Sequence, residues 1–132
     1  MKYIGLKPIG RKPTVEILDD AHLYDLHNVA DFAGHNFDKA DRRLTLNWNF
    51  GCDCKGIISG PISLVFDGVA NLKIHDKDIA IPRSEDLCLE EMHEISEDTL
   101  FFLFRGGESF TITCDSVSLD AKNTIGHKLR KE

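Results

Sequence analysis

Seven carboxylates lie between residues 85 and 98, and they are the residues best suited to chemistry at a surface. No lysine or arginine interrupts the group, which consists of Glu85, Asp86, Glu90, Glu91, Glu94, Glu97 and Asp98. Such a run is typical of the solvated face of a strand and its turn. It also suits docking of a positively charged protein, because complementary charge speeds association. The candidate partner-binding residues are therefore Glu90, Glu91, Glu94, Glu97 and Asp98.

Cys52 and Cys54 are separated by a single residue. Structural zinc sites prefer two to four residues between paired cysteines and a second pair nearby, and this sequence supplies neither. Two cysteines at this spacing are also poor disulfide partners. We therefore predict no metal and no cofactor, and we interpret Cys88 and Cys114 as small core residues.

Six histidines raise the alternative of catalysis or ligand binding. His22 and His27 are five residues apart, which on a helix would place them on different faces. No serine lies in a Gly-x-Ser-x-Gly turn, and no cysteine has a recognisable catalytic context. An enzymatic or small-molecule-binding domain, with His35, His75 or His93 lining a pocket, therefore stays open as the alternative to a binding module.

The net charge is −6, and it is unevenly distributed. Residues 61–120 contain thirteen acidic and four basic residues, whereas residues 121–132 contain one acidic and four basic residues. A nucleic-acid-binding protein usually shows a basic stripe, so a basic protein is the better partner for this chain. Neither a signal-peptide pattern nor a membrane segment is apparent. With four cysteines and no secretory signal, we expect a reduced, cytoplasmic protein with no membrane partner.

The elements that must position the carboxylates are organised around the apolar run Leu100–Phe104. Neighbouring side chains of a strand point to opposite faces, so this run leaves no face for water. Such a run predicts a central strand that is buried on both faces. The preceding residues, Leu87–Ile95, favour a strand with a bulge near Glu90 and Glu91.

Other strands are indicated by alternation. Leu44, Leu46, Trp48 and Phe50 alternate with polar residues, which predicts a strand that is solvated on one side. Ile62–Ile74 admits two interpretations. A hairpin turn at Asp67-Gly68 would bury polar groups, so we favour one long strand that bends at Gly68.

Residues 1–13 suggest an extended arm, and residues after Asp20 have a helical period. Apolar residues recur from Leu23 to Ala33, and Gly34 is a plausible helix end. The predicted fold class is α+β, with a curved, mostly antiparallel meander of five to six strands and one N-terminal α-helix packed on it. Residues 1–121 are expected to form one domain, followed by a polar basic tail at 122–132.

The segments Leu44–Phe50, Ile62–Ile74 and Phe110–Leu119 together resemble small β-rich bacterial immunity proteins of polymorphic toxin systems. The resemblance covers residues 44–119 and carries over no functional residue. It implies a non-enzymatic cytoplasmic protein that neutralises a cognate toxin. Against a nuclease toxin, the carboxylates would stand in for phosphates. A homodimer that pairs through an exposed edge strand is a further alternative.

Overall fold

The structure is a computed structural model that describes residues 1–27, 30–50, 58–76, 88–121 and 125–126. These residues form strands, turns and loops, and none of them is helical. The strands make a larger sheet, a four-stranded sheet and a separate two-stranded hairpin. The two main sheets pack on one another through an aromatic core.

The larger sheet has the strand order β1-β11-β6-β5-β4, with β12 also paired to β6. Its strands are β1 (Lys2–Ile4), β4 (Ala30–Asp38), β5 (Arg43–Phe50), β6 (Ile58–Asp67), β11 (Ser116–Asp120) and β12 (Ile125–Gly126). The pairing is antiparallel except between β1 and β11, which run parallel.

The four-stranded sheet has the order β7-β10-β9-β8 and is antiparallel throughout. Its strands are β7 (Asn71–His75), β8 (Leu89–Ser96), β9 (Thr99–Phe104) and β10 (Ser109–Thr113). The separate hairpin consists of β2 (Glu16–Leu18) and β3 (Leu23–Asp25). The β8–β9 hairpin carries the predicted partner-binding residues.

An aromatic cluster joins the two main sheets. The Trp48 ring of β5 lies 6.4 Å from that of Phe102 and 6.2 Å from that of Phe104, both on β9. Phe66 of β6 meets Phe102 edge-on at 5.8 Å, and Phe32 of β4 lies 4.3 Å from Phe104. Because these rings are almost fully buried, their contacts supply much of the apolar burial that holds the sheets together.

The prediction of a central strand is confirmed, but the prediction that this strand is buried on both faces is wrong. Leu100–Phe104 lies in β9, between β8 and β10. Leu100, Phe102 and Phe104 are buried against the larger sheet, whereas Phe101 and Leu103 are only partly buried. The four-stranded sheet therefore has one inner face and one outer face.

The predicted N-terminal helix is wrong, and the fold class is all-β instead of α+β. Leu23–Asp25 forms β3, and Ala30–Asp38 forms β4. Phe32 is buried between exposed Asp31 and Ala33, which is the alternation of a strand. Pairing with β5 and contact with the aromatic core stabilise this strand more than a short isolated helix could be stabilised.

The segment Ile62–Ile74 is neither one strand nor a hairpin. β6 ends at Asp67 in the larger sheet, and β7 begins at Asn71 in the other sheet. The prediction of a continuous bent strand is therefore wrong, although the rejection of the hairpin is confirmed. Gly68 adopts φ +66°, which turns the chain from one sheet towards the other.

The predicted bulge near Glu90 is confirmed, because the strand register shifts between Leu89 and Glu91. Residues 97–98 form the turn into β9. Of residues 1–13, predicted as an extended arm, residues 2–4 form β1, whereas the chain bends at residues 5–6 and 11–12. Of the predicted tail, residues 125–126 form β12, while residues 122–124 and 127–132 lie outside the described residues.

Candidate functional site

Four of the predicted partner-binding residues form what we call the acidic edge: Glu90, Glu91, Glu97 and Asp98. They lie along β8, an end strand of the four-stranded sheet, and on the turn that follows it. Glu90, Glu97 and Asp98 are exposed, and Glu91 is partly buried. Because a strand extends by about 3.4 Å per residue, the acidic edge is an elongated strip about 20 Å long.

Glu91 lies beside a histidine. Its Oε2 atom is 3.3 Å from His93 Nδ1, but the geometry is not that of a hydrogen bond. The His93 ring packs against Phe101 at 5.6 Å between ring centroids, and β8–β9 pairing places these two residues opposite one another. Glu91 and His93 therefore border an outer sheet face that has the partly buried Phe101 at its centre.

Asp98 is exposed and hydrogen-bonded within its own turn. It accepts hydrogen bonds of 3.0 Å from the hydroxyls of Ser96 and Thr99. The hydrogen bond from Ser96, followed by that from Thr99, lowers the pKa of Asp98. Because these bonds favour the ionised carboxylate, Asp98 keeps its negative charge at any physiological pH.

Glu94 differs from the other four because it binds this chain's own N-terminal arm, residues 1–14. Its carboxylate accepts a hydrogen bond of 2.5 Å from the Tyr3 hydroxyl and lies 3.5 Å from Arg11 Nε. Its side chain is only 17% exposed. Glu94, predicted as a surface docking residue, is therefore occupied in this structure by a contact within the chain.

The two contacts of Glu94 are unequal. Burial, followed by the hydrogen bond to Glu94, raises the pKa of Tyr3, so its hydroxyl remains a donor. A hydrogen bond to a charged group contributes about 1.5–3 kcal/mol. Arg11 is 61% exposed, and an exposed ion pair contributes about 0–1 kcal/mol. The hydrogen bond from Tyr3 is therefore the stronger of the two contacts that Glu94 makes with the arm.

The arm also covers part of the backbone edge of β8. The Met92 N–H donates to Thr14 O at 2.8 Å, and the Thr14 N–H donates to Met92 O at 3.0 Å. Further along the strand, the Glu94 N–H donates to Gly10 O at 2.8 Å. β8 is thus paired on this side with residues 10–14, and a partner can reach the strand there only if the arm moves.

One feature of the sequence indicates that the arm contacts β8, and that feature is the charge of the arm. Lys7, Arg11 and Lys12 give the segment a basic character that complements the acidic strand. No periodicity relates residues 3 and 11 to residue 94, however. The pairing is a long-range contact, so Tyr3 and Arg11 could not be identified from spacing alone.

The histidines of the alternative interpretation line neither of two cavities found in the described part of the chain. One cavity of about 400 Å³ is lined by residues 5–7 and 19–21, and a second of about 290 Å³ is lined by residues 7–9, 12–14, 16 and 18. His35, His75 and His93 line neither of them. These two cavities therefore give no support to a histidine-lined pocket.

Within the described ranges, no three His, Cys, Asp or Glu side chains converge as metal ligands would. Cys52 and Cys54 lie outside those ranges. Cys114 is buried, and burial raises the pKa of its thiol to about 11, whereas Cys88 is partly exposed. Among the residues that the structure describes, no helix has the length and apolar character of a membrane span.

Comparison with protein-family models finds no match, and comparisons with curated proteins and with solved structures find no significant match. Function is therefore inferred from the geometry of the acidic edge and its surroundings.

Proposed function

We propose that this protein is a binding module that docks a basic protein partner through its acidic edge. One observation carries the proposal: Glu90, Glu97 and Asp98 remain exposed on the β8–β9 hairpin, while nearby Glu94 is already bound by the arm. Glu90 lies at the bulge of β8, and Glu97 and Asp98 lie in the turn, so the partner meets carboxylates at the irregular points of the hairpin.

The charge of the acidic edge suits recognition by long-range attraction. Like charges in a row create a field that extends about 8–10 Å into a solution of physiological salt. Such a field raises the association rate of an oppositely charged partner. Asp98 adds a charge that persists into acid, since its pKa is lowered by the Ser96 and Thr99 hydroxyls.

Within this class, we propose an immunity-type inhibitor that acts in the cytoplasm on a bacterial toxin. The sequence resemblance over residues 44–119 supports this narrower proposal, and the acidic edge suits it chemically. Carboxylates spaced along a strand can occupy the cationic cleft that a nuclease toxin uses for phosphates. In this proposal, the protein blocks the cleft and catalyses nothing.

The acidic edge is tested by affinity capture with three full-length proteins as bait. The first is the unaltered chain, and the second carries E90Q, E91Q and E97Q. The third is a control with the same loss of charge at exposed residues elsewhere, and it carries E16Q, D20N and D31N. We expect one basic protein to bind the unaltered chain and the control, and to bind the acidic-edge variant at least tenfold less.

The captured partner then allows a kinetic measurement. We expect its association rate constant to fall by about tenfold between low salt and 0.5 M salt for the unaltered chain and the control. The acidic-edge variant should show a much smaller salt dependence. Equal capture by all three baits, or an association rate indifferent to salt, would show that the acidic edge does not bind the partner.

A further inference from the structure

The arm and β8 together show what kind of segment β8 accepts. At Met92, both backbone groups point to the arm, where Thr14 supplies one carbonyl and one N–H. At Glu94, Gly10 supplies a second carbonyl, and Arg11 and Tyr3 satisfy the carboxylate. The bound segment therefore pairs through its backbone and has a cation beside Glu94, although the chain bends at residues 11–12 between its two backbone contacts.

The contact between the arm and β8 is short. It is an isolated bridge between Thr14 and Met92 instead of a continuous ladder. Pro8 and Pro13 have no N–H to donate, and Gly10 adopts φ +86°, a conformation that a regular strand does not use. Residues 10–14 of the arm therefore cover the edge without completing it as a strand, which is the arrangement from which a better-pairing segment can displace them.

We propose that the β8 edge is a strand-accepting site, occupied here by the chain's own basic arm, and that the partner docks by displacing the arm with an extended basic segment. This inference rests on the proposed function, because it names how the partner of the acidic edge is bound. The incoming segment supplies a carbonyl and an N–H to Met92, and an arginine or lysine to Glu94. Its further basic residues reach Glu90 and Glu97.

The arm itself supplies a defined probe, since a synthetic peptide of residues 1–14 carries the arm's groups that contact Met92 and Glu94 of β8. The arm-released protein is the full chain with Tyr3→Phe and Arg11→Ala, which removes both side-chain contacts to Glu94. The control is Lys12→Ala, which removes the same charge as Arg11→Ala but no contact to Glu94. Fluorescence anisotropy of the labelled peptide measures binding to each protein.

We expect the peptide to bind the arm-released protein at least tenfold more tightly than it binds the unaltered chain or the Lys12→Ala control. A peptide that itself carries Tyr3→Phe and Arg11→Ala should bind at least tenfold more weakly than the natural one. Hydrogen exchange at the Met92 and Glu94 amides should be faster in the arm-released protein and should slow again when the peptide is added.

Equal affinity of the peptide for all three proteins would overturn the inference, as would exchange at Met92 and Glu94 that arm release does not change. Light scattering gives a second independent outcome. If the arm-released protein instead forms dimers that the peptide dissociates, the occupant is a second copy of this chain, and the assignment to a foreign partner is wrong.

Docking of a partner on the acidic edge and displacement of the arm can be disproved independently, because they depend on different residues. The peptide measurement depends on Glu94 and the β8 backbone, whereas the capture measurement depends on Glu90, Glu91 and Glu97. A captured partner that binds the acidic edge but has the same affinity for the arm-released protein would leave the proposed function standing and exclude strand displacement. We expect that affinity to rise at least tenfold on arm release.

Discussion

Gly68 occupies the point where the chain leaves the larger sheet for the smaller one. Its φ of +66° lies in the left-handed region, and an added Cβ would lie 2.1 Å from Asp115 Oδ2. Asp115 lies where the chain makes the second crossing, between β10 and β11, and its N–H donates to Asp67 O at 2.9 Å. The two crossings are therefore packed against each other, with glycine as the residue that fits between them.

Substitution of this glycine should be costly. We expect Gly68→Ala to lower the free energy of unfolding by about 2–4 kcal/mol, because alanine adds left-handed strain of about 1–2 kcal/mol and a clash with Asp115. Urea unfolding followed by tryptophan fluorescence measures the loss. Gly10→Ala is the matched control, since Gly10 also has a positive φ but has no atom within 4 Å of the added carbon. Equal losses for the two variants would show that the clash with Asp115 is unimportant.

Each residue of the Phe66-Asp-Gly-Val69 segment has a structural role. Phe66 and Val69 are buried, Asp67 pairs with Arg43 at 2.7 Å, and Gly68 makes the turn. This part of the Ile62–Ile74 segment, on which the sequence resemblance partly rests, is therefore a structural feature at the crossing. It gives no information about a partner, which is consistent with a resemblance that carries over no functional residue.

At the scale of single elements, the β2–β3 hairpin depends on Asp19. Its carboxylate accepts hydrogen bonds from the N–H groups of Ala21 and His22, at 2.7 and 2.6 Å, and from the Tyr24 hydroxyl at 3.0 Å. Burial by itself would raise the pKa of Asp19, but these three hydrogen bonds outweigh it and lower the pKa. The ionised side chain therefore stabilises the turn.

The stability that Asp19 contributes should depend on pH. A group whose pKa is lowered by folding contributes stability above its unfolded pKa, and this contribution is lost as the pH falls through the folded value. We expect Asp19→Ala to cost about 1–2 kcal/mol at pH 7 and progressively less below about pH 4. Urea unfolding of both proteins between pH 7 and pH 3 measures the difference.

The neighbouring Asp20 is exposed and provides the control for this turn. We expect Asp20→Ala to change the stability by less than about 0.5 kcal/mol at every pH. A cost of Asp19→Ala that stays constant down to pH 3 would mean that the ionised carboxylate is not what stabilises the hairpin.

Two stretches of the chain show where sequence-based prediction of secondary structure succeeds and where it fails. Around Trp48, alternation alone indicates the strand correctly, because one face is uniformly apolar. Between Leu23 and Gly34, apolar residues fit a helical period and a strand period equally well. The choice there depends on pairing with β5 and on contact between Phe32 and Phe104, and neither is visible in a local window.

For the candidate site, the sequence identified the acidic residues but not their separate roles. Glu90, Glu97 and Asp98 are exposed as expected, because charged residues at a bulge and a turn have no core to enter. Glu94 has the same chemistry and lies on the same strand, yet Tyr3 and Arg11 bind it. Only the path of the arm distinguishes these residues, and that path is a property of the tertiary structure.

At the scale of the whole molecule, stability depends on the contact between the two sheets. Phe102 is fully buried and meets both Trp48 and Phe66 of the larger sheet. Phe101, the preceding residue, points to the outer face and is only partly buried. Phe102 therefore helps to hold the two sheets together, whereas Phe101 lies on the outer face of the smaller sheet.

This difference predicts unequal costs of truncation. We expect Phe102→Ala to lower the free energy of unfolding by about 3–5 kcal/mol, since it removes a buried ring and leaves a cavity. Phe101→Ala should cost about 1–2 kcal/mol, because its ring is only partly buried. Thermal and urea unfolding of both variants provide the comparison. Equal costs would contradict the assignment of an inner and an outer face to β9.

The arm is synthesised long before the strands with which it pairs. Residues 2–4 leave the ribosome long before residues 116–118, with which they pair. The second half of the arm pairs with β8, which is also made late. Closing so long a loop has a large entropic cost, so the arm should find its place only after both sheets have formed. Throughout that interval the nascent protein displays an uncovered β8, ready to pair with whichever strand arrives first.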